Sequence, residues 1–121
     1  MSYAYLASPY SDPSLQVREE RFYAAMRATA WLLMQRIWVY SPIVHCHELA
    51  ARYGLRFDAE YWKEYNEAML KEATKFFILC IDGWDLSKEV TAERHFARAN
   101  KIYAQFLIPI FETEQYEMVE V

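Results

Sequence analysis

Apolar residues fall along the 121-residue chain in two rhythms, short unbroken runs and longer stretches with helical spacing, and each predicts a different element. The run YAYLA at 3 to 7 predicts a short buried strand, ended by the turn-forming SPYSDP. Asp12 followed by Pro13 supplies an acceptor at the cap and a proline in the first turn, a favourable helix start. From there Leu15, Phe22, Met26, Thr29 and Leu33 keep helical spacing to about Arg36. IWVYS, 37 to 41, is a second strand stopped by Pro42, and IVHCHELAARYG is a short helix ending at Gly54. A further helical segment runs from Asp58 to Thr74. KFFILCI, 75 to 81, is the most apolar run and the best candidate for a central parallel strand covered on both faces. DGWDLS turns the chain into a helix ending near Lys101, QFLIPIF at 105 to 111 is a fourth strand, and YEMVEV adds a short edge strand.

Strands alternating with helices imply a single α/β domain with a mostly parallel sheet of four to five strands and right-handed crossovers. Ligands bind such sheets at the carboxyl ends of the strands, where loops lead into helices. Those loops are SPYS, SPIVH and DGWDLS, all rich in hydroxyls and aromatics.

Composition narrows the function. Hydrophobic residues make up 55% of the chain and aromatics 17%, which a disordered segment would not show. The net charge of -4 and the lack of a Lys/Arg stripe argue against polymeric nucleic acid as a partner. Cys46 and Cys80 suit a reducing compartment, no apolar run approaches the roughly 20 residues of a membrane span, and the apolar start lacks the basic residues of a signal peptide, so a cytoplasmic protein is expected. Only Gly54 and Gly83 occur, which excludes a GxGxxG fingerprint and a GxxxxGK[ST] phosphate loop.

One position carries the strongest chemical signal. On the helix of DLSKEVTAERHFA, residues 85 to 97, Glu93 shares a face with Val90, Phe96 and Ala97, so a carboxylate stands in the stripe that should pack inward. A buried carboxylate is costly unless it is hydrogen-bonded or neutral. Either it pairs with an arginine or closes a helix contact, or it is a nucleophile or general base, kept charged by the helix N-terminus. Tyr5, in the first strand, is core packing or the donor that orients Glu93. Ser87 is an N-cap or, with Ser8 and Ser11 from the facing loop, a donor to a phosphate at the helix N-terminus. Asp58 is a cap or, if burial raises its pKa, a proton donor to a leaving group. Tyr10 and Trp84 join the expected substrate contacts. The cluster His45, Cys46, His47 and Glu48 invites a zinc reading, but spacing of two puts both histidines on one side only in a strand, and His45 is preferred as a substrate-facing or loop-bracing group with no metal. Tyr61, Trp62 and Tyr65 form an aromatic stripe, suited to core, a subunit interface or covering a nucleobase.

Taken in order, YLASPYS, YSPI, a helix led by Asp58, an apolar strand and DGWDLSKEVTAE resemble the nucleoside 2-deoxyribosyltransferase-like superfamily, which includes the 2'-deoxynucleoside 5'-monophosphate N-glycosidases. The resemblance runs from Tyr5 to about Phe111. It implies a flavodoxin-like, Rossmann-like three-layer fold, no metal or organic cofactor, and assembly as a homodimer or larger homo-oligomer. It also implies a catalytic carboxylate at Glu93, an orienting tyrosine at Tyr5, an acid at Asp58 and a phosphate contact at Ser87. The family's loops place a glycine two residues after that serine, where this chain has Glu89, whose charge opposes a 5'-phosphate unless Lys88 and the helix N-terminus offset it. The expected activity is cleavage or transfer of the N-glycosidic bond of a nucleoside or its monophosphate. The rivals are a non-catalytic nucleotide-binding module and a zinc hydrolase built on His45 and His47.

Overall fold

The computed structural model describes residues 2–121. Its first strand, β1 (Ala4–Ala7), is buried along its whole length, as its apolar run requires. The long helix α1 (Leu15–Met34) starts later than Asp12 and Pro13 predict. Ser14 is the cap, accepting from the Val17 N–H at 3.3 Å, while the Asp12 carboxylate accepts from the Ser14 N–H at 2.9 Å and so shapes the turn before the helix. Strand β2 (Val39–Tyr40) is only two residues long, since it pairs with β1 alone and Pro42 begins the next helix at once. That helix, α2 (Pro42–Tyr53), is capped by Ser41 and ends at Gly54 in the left-handed conformation. Helix α3 (Ala59–Lys71) follows, capped by Asp58, then β3 (Lys75–Leu79), a single turn of 3-10 helix, α4 (Lys88–Ala99) and β4 (Tyr103–Ile110). The last strand, β5 (Gln115–Glu120), turns back antiparallel along β4.

The strand order is β2-β1-β3-β4-β5, with the first four strands parallel. Residues alternate between two faces, and each face has its own core. Ala4, Leu6, Phe77, Leu79 and Leu107 pack under Ala28, Trp31 and Leu32 of α1. Tyr5, Ala7, Phe76 and Ile78 pack against Leu70 of α3 and Val90 and Ala97 of α4. A smaller cluster of Phe22, Ala25 and Ile43 joins α1 to α2. This is the three-layer, Rossmann- or flavodoxin-like arrangement. Its chain reverses direction across the sheet between β1 and β3, the place where such folds open a crevice. Among the described residues no helix is long and apolar enough to cross a membrane.

Candidate active site

A pocket opens at the carboxyl end of β1, walled by the β1–α1 loop, α2, α3 and the first turns of α4. Glu93 reaches it from the second turn of α4, flanked on its inward face by Val90 and Ala97, which are fully packed. The Tyr5 hydroxyl donates to Glu93 Oε2. Tyr5 is itself immobilised, with no exposed surface and its ring stacked on Phe76 at 6.0 Å. Burial and the neighbouring Glu93 charge raise the Tyr5 hydroxyl well above the usual phenol range, so it stays a proton donor.

The electrostatics of Glu93 reverse one expectation. Burial pushes its carboxyl up to about 8, the Tyr5 hydrogen bond opposes that rise and the charge of Glu89 adds to it. The positive end of α4 does not keep it ionised at neutral pH, because desolvation of the charge outweighs a partial dipole. Asp58 departs from expectation in the opposite direction. It caps α3 through the Tyr61 N–H at 3.2 Å and takes two hydrogen bonds from Arg56, at 2.8 Å and 2.6 Å. The Arg56 guanidinium holds its carboxyl below the usual range, so Asp58 lines the pocket as an anion and not as a proton donor.

Ser8, Tyr10 and Ser11 line the same pocket. Ser8 is 4% exposed, and its Oγ has no partner within the protein. The Ser11 N–H donates to Glu89 Oε1 at 3.1 Å. Ser87 caps α4, accepting from the Val90 N–H at 3.2 Å, and its hydroxyl reaches Glu89 Oε2 at 3.3 Å. Three expected contacts, Ser87, His45 and Trp84, are not part of the pocket lining. His45 is exposed and stacked parallel to Tyr65, so it braces α2 against α3. Trp84 packs edge-on against Phe106 beneath α4.

The histidine that does face the pocket is His47. It shares a hydrogen bond with the Tyr10 hydroxyl and stacks on Phe22 at 4.3 Å, and burial lowers its pKa, leaving a neutral ring. Its position was readable: on a helix Ile43, Cys46, His47 and Ala50 share one face, and His45 lies off it. Being on a helix also separates His45 from His47, and among the described residues no group of three or more His, Cys, Asp or Glu side chains gathers where it could hold a metal ion. Asn66 was missed as well. It follows Trp62 by one turn, both line the pocket, and its Oδ1 has no partner.

The fold and site define a three-layer α/β protein whose strand-end pocket is lined in part by a carboxylate held by a tyrosine. Residues 2–106 match the family described as a domain of unknown function, DUF1937, and the chain belongs to that family. No curated protein matches it.

Proposed function

We propose that the protein breaks the N-glycosidic bond of a nucleoside or nucleoside 5'-monophosphate, by hydrolysis or by transfer to a second base, through a covalent glycosyl-Glu93 intermediate. The observation that carries this reading is Glu93 in the wall of the pocket, its carboxyl held from behind by the hydroxyl of Tyr5, which is fully buried and does not itself line the pocket. An ion pair would explain an inward glutamate without chemistry, and among the described residues Glu93 has no Lys, Arg or His partner. In the first step an oxygen of the Glu93 carboxyl bonds to the anomeric carbon while the carbon–nitrogen bond breaks and its electron pair leaves on the base, which takes the proton that Glu93 carries at neutral pH. Water, or an N–H nitrogen of a second base, then bonds to the same carbon, and Glu93 leaves with the proton that this nucleophile gives up. Tyr5 holds the nucleophile in line, and Ser8 Oγ and Asn66 Oδ1 are the free polar groups left for the substrate. The free thiols of Cys46 and Cys80 fit a cytoplasmic setting, and the resembled family suggests a cofactor-free homo-oligomer.

A second reading, a binding module of the same fold without turnover, is favoured by Asp58, which Arg56 keeps ionised and so without the proton a leaving base needs. Incubation with deoxynucleosides and their 5'-monophosphates, with and without a second free base, separates the two. Wild type is expected to release or exchange base, and Glu93→Ala to lose at least about a thousandfold of that rate, as removal of a nucleophile does. Equal inertness of both proteins, with one ligand still raising the melting temperature, would replace the enzyme with the binder.

A further inference from the structure

Resting on the glycosidic reading of the pocket, we propose that Glu89 is a specificity-determining residue: it reserves the sugar end of the site for a substrate with a free hydroxyl and turns away the 5'-phosphorylated counterpart. Glu89 stands in the first turn of α4, directly after Ser87 and Lys88. Its two carboxylate oxygens are spread between two loops, Oε1 accepting from the Ser11 N–H at 3.1 Å and Oε2 from the Ser87 hydroxyl at 3.3 Å. These are the donors, together with the positive end of α4, that an anionic group at this end of the pocket would need. The chain's own carboxylate already uses them.

The rest of the lining offers a phosphate no counter-charge. Among the described residues the pocket is bordered by three carboxylates, Asp58, Glu89 and Glu93, and by no lysine or arginine. Lys88, the nearest cation in sequence, is exposed and outside the lining. No Lys or Arg pairs with Glu89 among the described residues. A phosphate dianion entering here would displace Glu89 from both donors and then lie beside its charge, while the guanidiniums that reach this loop, Arg18 and Arg21, are engaged by the Asp12 and Ser11 carbonyls and stand outside the lining. A hydroxyl needs no displacement, because a carboxylate has about four acceptor sites and can take a third donor while keeping Ser11 and Ser87.

The test is a titration of wild type, Glu89→Gln and Glu89→Gly with inorganic phosphate, a deoxynucleoside and its 5'-monophosphate, followed by amide NMR. The glutamine variant keeps the shape and an acceptor for Ser11, and the glycine variant clears the space, so one well-dispersed spectrum suffices. Expected are no phosphate response in wild type, a response at the amides of Ser11 and residues 88–90 in the variants, and at least a tenfold rise in affinity for monophosphate relative to nucleoside. Wild type binding the monophosphate as tightly as the nucleoside, or folded variants as indifferent to phosphate as wild type, overturns the proposal. Phosphate binding gained by the variants while no form binds or cleaves any nucleoside supports Glu89 as the excluding group and sinks the glycosidic reading instead.

Discussion

A glutamate that holds its proton to about 8 changes how the folded chain responds to pH. Its ordinary value is 4.5, so between 4.5 and about 8 the folded state binds a proton that the unfolded state has released. Stability from this group is therefore complete below 4.5 and declines as pH rises through about 8. Melting curves on wild type should fall across that window, and Glu93→Gln should lose the fall. Tyr5→Phe removes the one interaction that lowers the Glu93 pKa and should move the decline to higher pH; an unmoved decline would mean that the pair is not coupled in solution. At this scale Glu93 and Tyr5 were legible, because a charge on an apolar helix face and a polar ring in a buried strand both break the local pattern. The state of Asp58 was not, since nothing in the spacing of Arg56 and Asp58 says that the guanidinium folds back onto the carboxylate. His47 was legible as well, because on the expected helix it falls on the face of Ile43, Cys46 and Ala50, the face that lines the pocket.

The elements were legible wherever apolar runs or helical spacing were long. Each predicted helix and strand is present, and the errors fall at ends, where single hydrogen bonds decide. Ser14 and not Asp12 caps α1, and a predicted five-residue strand contributes two residues to the sheet. The end of α2 shows how strongly one residue can fix a boundary. Gly54 has a φ of 68°, and an added Cβ would meet nothing within 4 Å, so Gly54→Ala tests backbone strain alone. The left-handed conformation costs a non-glycine residue about 1 kcal/mol, which should appear as a fall of about 4 °C in melting temperature with the pocket unaffected. A much larger fall would mean that α2 and α3 come apart when their connection is strained.

Across the whole molecule the two borders of the sheet are unequal. On one side β2 offers two residues, with the helix cap Ser41 and then Pro42 directly after it, too little to template another strand. On the other, β4 carries the apolar sequence YAQFLIPI over eight residues, and β5 covers it from Gln115 to Ile110 through to Glu120 against Gln105. Pro109 lies two residues past the last β4 position that pairs with β3, so its missing N–H does not interrupt that parallel ladder. The family match ends at residue 106, so the strand that closes this border lies outside the matched region. A chain truncated after Phe111 should retain the pocket but leave the apolar β4 edge with a row of unpaired backbone groups. Its light scattering should rise with concentration while that of the 121-residue chain does not, and a truncated protein of unchanged size would show that β4 protects its own edge. The β4–β5 hairpin is thus placed to keep one molecule's border from recruiting another's, with Glu117 and Glu120 putting negative charge on the outermost strand.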